Sequence, residues 1–370
     1  MSGRRVALVS PYALSVYGGV QEQVLAMSRV LSARGSDVLV LAPDASDVTH
    51  YDTPAELVRL GRLTSVPANG SRAPLTLSPR ASLKARRVLA TFSPDVVHYH
   101  EPFAPLLPWA SLRAHAYPSV GTFHRAGSGP ALKFGAPLIR SLAKGLDITV
   151  AVSAAAATTI ESVTGSECDV LFNGFETERF LVSPRERSVE VVLLFVGRLD
   201  QRKGVATAIE ATREHNSRGG RPWRLVITGE GPDRARLEAL AAHDGRVVFL
   251  GRVSDAQKRS WMRRVHVLVA PSTHGESFGL VLLEGMASET LVVASDIHGY
   301  REAAGGHANL FHPGDARALE QAIDSALAEE SEERIQSARA HAENWSMTKL
   351  VEEYEMRYAL AMERFGDPVT

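Results

Sequence analysis

At 370 residues the chain is too long for one ordinary hydrophobic core and suits two domains. Its 45% hydrophobic and 22% charged residues are ordinary for a soluble globular protein, and a net charge of −1 names no partner by whole-molecule attraction. The single cysteine, Cys168, excludes an internal disulfide framework, fits a reducing compartment and reads as a small core residue; no run approaches the ~18 apolar residues of a membrane span.

In chain order, Arg4 and Arg5 precede an apolar run at 6–10, but Pro11, Tyr12 and Gly18-Gly19 interrupt it, so it reads as a first buried strand and not as a signal peptide. Short apolar, β-branched runs follow at 38–42, 95–99, 119–123, 148–152 and 170–172, then at 191–196, 225–228, 247–250, 265–270, 291–294 and 309–311. Continuous apolar runs bounded by turn residues suit buried parallel strands. Helical patterns at 21–33, 204–214, 233–243 and 316–329 lie between them, and strand–helix alternation implies right-handed βαβ units and doubly wound sheets. Each half begins with a strand that runs into a glycine and then a helix. The expected fold is therefore α/β, with two Rossmann-like domains of parallel strands facing a cleft and ligands at the carboxyl ends of the strands. A hinge is expected near Asn173-Gly174, dividing 1–172 from 173–345. The amphipathic pattern at 347–365 either ends the second domain or crosses back onto the first.

Several motifs lie at the ends of these strands. Gly18-Gly19 lets a backbone approach a phosphate at a helix start, or simply makes a tight turn. Residues 57–94 contain no Asp or Glu but hold Arg59, Arg62, Arg72, Arg80, Lys84, Arg86 and Arg87. Arg80, Lys84 and Arg87 fall on one helical face and Ala85, Leu89 and Phe92 on another. That pattern suits an anionic lipid surface or a merely solvated face; nucleic acid is disfavoured because no aromatic residues interleave to stack bases. His98, His100 and Glu101 stand near a strand end without the spacing of a metal site and read as cleft-lining groups or as supports behind such groups. His124, at the end of the 119–123 strand, is expected to project toward the cleft.

In the second half, Gly197-Arg-Leu-Asp-Gln-Arg-Lys-Gly204 places Arg198 and Lys203 around a loop, as a diphosphate leaving group requires. No Asp-x-Asp pair follows a strand to hold a metal, so metal-free catalysis is expected. Asp255 and Lys258 suit the N–H donors and carbonyl of a guanine; alternatively Ser254 or Asp255 caps a helix with Lys258 on its exposed face. His274-Gly-Glu-Ser-Phe-Gly-Leu-Val-Leu-Leu-Glu284 sets Glu276 and Glu284 at a loop-to-helix transition, where carboxylates grip hydroxyls and free backbone N–H groups grip an anion.

Gly18-Gly19, Gly197-Arg198…Lys203-Gly204 and Glu276-(x7)-Glu284 together resemble the family-4 retaining glycosyltransferases of the GT-B fold, over nearly the whole chain. Pro11-Tyr12, Gly18-Gly-Val-Gln21, Pro67-Ala-Asn-Gly-Ser71, His98-Tyr-His-Glu-Pro102, Thr122-Phe-His124 and His274-Gly-Glu-Ser-Phe-Gly279 are similar to the actinobacterial phosphatidylinositol mannosyltransferases, a branch that uses GDP-mannose. The resemblance implies that Gly19, Arg198 and Lys203 meet the donor diphosphate. Glu276 and the amides of Ser277, Phe278 and Gly279 would hold the sugar, and Glu284 the ribose. Val253, Asp255 and Lys258 would read the guanine, and His124 would line the reaction centre. Tyr12, Gln21, Asn69 and Arg72 would face the acceptor. Arg80, Lys84, Arg86 and Arg87 would meet the membrane, and the C-terminal helix would return to the first domain, giving domains 1–172 plus 346–370 and 173–345. The chain departs from the branch at Arg125-Ala-Gly-Ser-Gly-Pro130, where the branch has a Thr/Ser-rich loop with a lysine, and at Arg72 and Pro74, where a branch arginine is displaced.

The expectation is thus a retaining, metal-independent hexosyltransferase without a tightly bound cofactor. It would take mannose from GDP-mannose to phosphatidylinositol or a related polyol lipid, as a monomer at the inner face of the plasma membrane, with no nucleic-acid partner. A UDP-sugar-dependent transferase, a sugar-nucleotide 2-epimerase and a non-catalytic lipid- or sugar-nucleotide-binding protein are the alternatives.

Overall fold

Alternating apolar runs and amphipathic helices produce two parallel sheets in the computed structural model, which describes residues 3–15, 18–44, 53–68, 71–124, 135–180, 190–241, 244–276 and 278–366. Met1–Gly174 with Met347–Thr370 forms one unit and Phe175–Ser346 the other, so the chain passes between them twice.

The first unit runs Arg5–Val9 (β1), Gly19–Ala33 (α1), Asp37–Asp44 (β2), Glu56–Arg62 (β3), Thr64–Ala68 (β4), Ser71–Leu75 (β5), Pro79–Phe92 (α2), Val96–His100 (β6), Trp109–Ala114 (α3), Ser119–Phe123 (β7), Ala136–Ala143 (α4), Ile148–Ala151 (β8), Ala154–Thr164 (α5) and Asp169–Val170 (β9). Its parallel sheet has the order β3-β2-β1-β6-β7-β8-β9. The central strands are buried throughout, β6 and β7 at every position, as strands covered on both faces must be. The second unit runs Val191–Val196 (β10), Val205–Arg218 (α6), Trp223–Thr228 (β11), Arg234–Ala241 (α7), Val247–Gly251 (β12), Asp255–Arg264 (α8), Val267–Ala270 (β13), Leu280–Ala287 (α9), Leu291–Ser295 (β14), His298–Ala304 (α10), Asn309–Phe311 (β15), Ala316–Ala328 (α11) and Glu332–Glu343 (α12), with sheet order β12-β11-β10-β13-β14-β15. Met347–Gly366 (α13) belongs to the first unit, where Leu350, Val351, Tyr354 and Tyr358 join the core containing Val6, Leu8, Val96 and Val120. The open choice for the last helix is settled in favour of the first unit.

Three strands were not foreseen from the sequence. β3 is the sheet edge beside β2 and carries Arg59 and Arg62; charges on an edge strand deter a further strand from pairing but also break up its apolar signal. β4 and β5 form a separate antiparallel hairpin, and Ala13 N–H donates to Pro74 O at 2.9 Å, tying it to the segment after β1. The expected strand at 265–270 starts two residues late because Val265 caps α8, its N–H donating to Trp261 O at 3.1 Å. Near the expected hinge, the Gln23 carboxamide holds both backbone groups of Gly174, at 2.5 Å and 3.1 Å. Among the described residues no helix is long and apolar enough to cross a membrane.

Candidate active site

All strands of the second unit's sheet are parallel, so their carboxyl ends share one edge, and the loops leaving β10, β12 and β13 meet there. After β10 the chain makes a 3-10 turn, Gln201–Lys203, capped by Asp200, which accepts the Lys203 N–H at 3.2 Å. Gly204 then takes a left-handed conformation with φ +64, and a Cβ there would lie 1.9 Å from Pro271 O. Only glycine lets the β10 and β13 loops approach so closely.

That approach brings Lys203 Nζ to 2.6 Å from Glu276 Oε1, with both side chains under a fifth exposed. Ser272 Oγ donates to the same oxygen at 3.3 Å and meets the Tyr300 hydroxyl at 2.9 Å. Arg202 adds Nη1 at 3.5 Å from Glu276 and donates to Gly275 O at 2.6 Å, while Thr273 N–H donates to Arg202 O at 2.8 Å. Burial, followed by the nearby Glu276 charge, raises the Tyr300 hydroxyl above its ordinary range, so it stays a neutral donor. Gly279, with φ +95, precedes α9; a Cβ there would lie 2.6 Å from the Tyr300 ring. Phe278 is half-buried and packs on Trp345, with centroids 4.5 Å apart. Ser277 lies outside the described residues.

One turn into α9, Glu284 forms a second lysine pair: Lys258 Nζ is 2.8 Å from Glu284 Oε1 and 3.1 Å from Asp255 Oδ1. Asp255 also pairs with Arg259. Burial raises the Asp255 carboxyl, but Lys258 and Arg259 outweigh it and hold the group below its ordinary value. The helix-cap alternative is half realised. Ser254 is the cap, in a capping box with Gln257, yet Lys258 turns inward to Glu284 instead of lying on an exposed face. Val253 is half-buried just before that cap. Arg198 is not gathered into either pair; it is more than half exposed and leans to Asp200 at 3.9 Å.

In the first unit, Gly18 is extended and a Cβ there would lie 2.5 Å from Gln21 Oε1, whereas a Cβ at Gly19 would meet nothing within 4 Å. Gln21 and Tyr12 are buried, and Tyr12 forms a backbone bridge with Leu75. Asn69 lies outside the described residues, as does the segment from Arg125 to Pro130; Arg72 is described only as part of β5. His124 follows β7, with its N–H on Glu101 Oε1 at 2.9 Å and its Nε2 3.0 Å from His100 Nδ1. His98 and His100 are fully buried, so they support the neighbourhood of His124 and do not line an open surface. On α2, Ala85, Leu89 and Phe92 are buried while Arg80, Leu83, Lys84, Arg86 and Arg87 are exposed.

Arg202, Ser272 and Tyr300 were not singled out from the sequence. Arg202 stands inside the quoted loop, but nothing in a linear motif tells that Arg202 and Lys203 turn toward the β13 loop while Arg198 does not. Elsewhere, His215, Glu320 and Asp324 bring potential ligand atoms within 4.8 Å of one another, but Arg218 already lies 2.8 Å from Glu320. This cluster stands at the other end of the strands, where His215 stacks on Trp223 at the start of β11.

A glycosyltransferase structure from Rickettsia africae superposes with a TM-score of 0.76 at 17% identity, covering 100% of both chains, a likeness of fold. The family model for glycosyl transferases group 1 matches residues 177–344, and that for glycosyltransferase family 4 matches residues 17–179. Phosphatidyl-myo-inositol mannosyltransferase of Mycobacterium leprae is 35% identical over 333 residues, covering 87% of this chain and 87% of that protein. Its Mycobacterium tuberculosis H37Rv counterpart is 38% identical over 306 residues, covering 80% and 79%. The chain belongs to the family-4 glycosyltransferases of GT-B fold and is a hexosyltransferase.

Proposed function

We propose that the protein is a retaining transferase that moves mannose from GDP-mannose to the inositol ring of phosphatidylinositol or a related polyol lipid. The observation that carries this reading is the pair of lysine-closed carboxylates in the loop before α9 and on α9 itself, Lys203–Glu276 and Lys258–Glu284. Their sequence along one sheet edge matches the parts of a sugar nucleotide. Glu276 takes the sugar hydroxyls beside Lys203, which takes the diphosphate with Arg198; Gly19 has an open backbone suited to phosphate contact. Glu284 takes the ribose, and Asp255 with Lys258 takes a base that offers N–H donors and a carbonyl, as guanine does. The amides of Ser277, Phe278 and Gly279 complete the sugar subsite, and the backbone at Val253 completes the base subsite. The likeness to the mycobacterial phosphatidyl-myo-inositol mannosyltransferases supports the acceptor. Tyr12, Gln21, Asn69 and Arg72 face that acceptor in this reading, and His124 lines the reaction centre.

The glycosidic bond to the leaving phosphate breaks as the acceptor oxygen bonds to the same face of the anomeric carbon, and the acceptor proton passes to the departing phosphate oxygen. Lys203 and Arg198 stabilise the charge that builds there. A donor-by-acceptor screen with product analysis by mass spectrometry tests the whole reading; transfer from UDP-sugars alone would overturn the donor. In calorimetry, Asp255→Ala is expected to weaken GDP binding about tenfold or more, in line with a lost charged hydrogen bond, while changing UDP binding little. Equal effects on both nucleotides would remove Asp255 from base recognition.

The exposed face of α2 joins Arg80, Lys84, Arg86 and Arg87 to the exposed Leu77 and Leu83. Cations beside apolar side chains suit the interface of an anionic bilayer, each cation contributing about 1 kcal/mol near the surface. Neutralising Lys84, Arg86 and Arg87 together is expected to release the protein from phosphatidylinositol-containing liposomes in co-sedimentation. Unchanged binding would sink the membrane role.

A further inference from the structure

His98 and His100 stand two apart on β6, and Thr122 and His124 two apart on β7 and its exit, with His100 in register with Thr122. The period of two puts all four side chains on one face of the sheet. Three imidazoles stack there in a row: His98 on His100 at 4.4 Å and 19°, and His100 on His124 at 5.3 Å and 20°. α13 covers the inner end. The Tyr358 hydroxyl is 2.8 Å from His98 Nδ1, Thr122 Oγ1 is 2.7 Å from His98 Nε2, and the Tyr354 hydroxyl is 2.7 Å from Thr122. The row therefore leads from a closed core to His124 at the carboxyl end of the strand.

The bond between His100 Nδ1 and His124 Nε2 has two possible directions. If His124 donated, neutral His100 would carry its proton on Nε2, and that atom is buried with no hydrogen-bond partner among the described residues. An orphaned buried N–H is a rarer and costlier defect than an unused lone pair. The favoured direction is His100 Nδ1–H donating to His124 Nε2. We propose that His100 is a positioning residue for transfer, holding His124 as the Nδ1–H tautomer with one donor and no free lone pair. Burial supports the neutral state of all three rings, lowering His98 to about 3 and His124 to about 4, with His100 well below its ordinary value.

This inference rests on the reading of His124 as a reaction-centre residue and sharpens it. A His124 whose Nε2 lone pair is taken, and which the Asn173 side chain also meets, keeps only an Nδ1–H donor and accepts no proton from the acceptor hydroxyl. That leaves the departing phosphate oxygen as the proton's destination, so the step balances without a protein base.

The test begins with the wild-type protein: long-range nitrogen–proton correlation of labelled histidine reads the His124 tautomer without any activity measurement. The expected result is a proton on Nδ1 at His124; a proton on Nε2 overturns the proposal. In His100→Asn the side-chain amide can replace the Nδ1–H donor, whereas His100→Phe keeps the stack and removes the donor. His100→Phe is expected to mix the His124 tautomers and lower kcat about tenfold at little changed donor KM, and His100→Asn to restore both. Equal behaviour of the two variants overturns the positioning role. Full activity of His124→Ala overturns the link to transfer, and with the expected tautomer it locates the failure in the reading of the site instead of the hydrogen bond.

Discussion

Replacing Glu276 by alanine is expected to lower kcat by about 10²–10³-fold or more, the range seen when one preorganised electrostatic partner of a transition state is removed. The carboxylate is held from three sides, by Lys203 at 2.6 Å, Ser272 at 3.3 Å and Arg202 at 3.5 Å, so its position is fixed before any ligand arrives. The loop that carries it does not depend on the side chain. Arg202 donates to Gly275 O, Thr273 N–H donates to Arg202 O, and Gly299 packs so closely on the Glu276 carbonyl that a Cβ would come within 2.3 Å of it. Thermal unfolding should therefore move little while turnover collapses. Lys203, released from its pair, remains available to a diphosphate, so donor KM should change less than kcat. Glu276→Gln keeps hydrogen bonding without the charge and should fall between. Steady-state kinetics beside a melting curve check this; near-normal turnover in the alanine variant would remove Glu276 from the chemistry.

Stability is expected to fall steeply below about pH 6.5, from the first unit. His98 and His100 are completely buried, and burial lowers both below their ordinary value. In the unfolded chain each takes a proton near pH 6.5, whereas in the folded chain it does so only far lower. As pH drops through that window the unfolded state binds more protons, so unfolding becomes more favourable; above it the contribution is complete and constant. The slope depends on proton number and not on the size of the shift. Each histidine contributes about 1.4 kcal/mol per pH unit, or roughly 3 kcal/mol per unit for the pair. His124, partly exposed and lowered to about 4, adds to the effect between pH 6.5 and 4. Urea midpoints at pH 7, 6 and 5 measure the slope, and His100→Asn should reduce it by one proton. A slope unchanged by that substitution would show that His100 does not resist protonation.

The α/β architecture was legible because buried parallel strands leave continuous apolar runs, such as Val191–Val196 and Ser119–Phe123, whose observed bounds coincide with the expected ones. β3 and the β4–β5 hairpin were not, because Arg59, Arg62 and Arg72 interrupt the pattern and edge or hairpin strands need only half an apolar face. The carboxylates of the candidate site were legible from their spacing around Gly279. Their partners were only half legible: Lys203 and Lys258 were noted for ligand contacts, but that each closes on a carboxylate 73 and 26 residues away follows from loops meeting in space. Arg202 differs from Arg198 only in where the Gln201–Lys203 turn points it. The imidazole row depends on strand register, which fixes His100 opposite Thr122 and which no single segment reveals.

The return of α13 to the first unit has a consequence for biosynthesis. Residues 175–346 hold every element of the second unit, so that unit can close without α13. The first unit cannot, because its buried histidines and core await Tyr354 and Tyr358. The unit whose strands are made first is thus completed only by the helix made last. Until α13 docks, the face of β6, β7 and β8 that it covers is an uncovered apolar surface, and there a chaperone would be expected to bind.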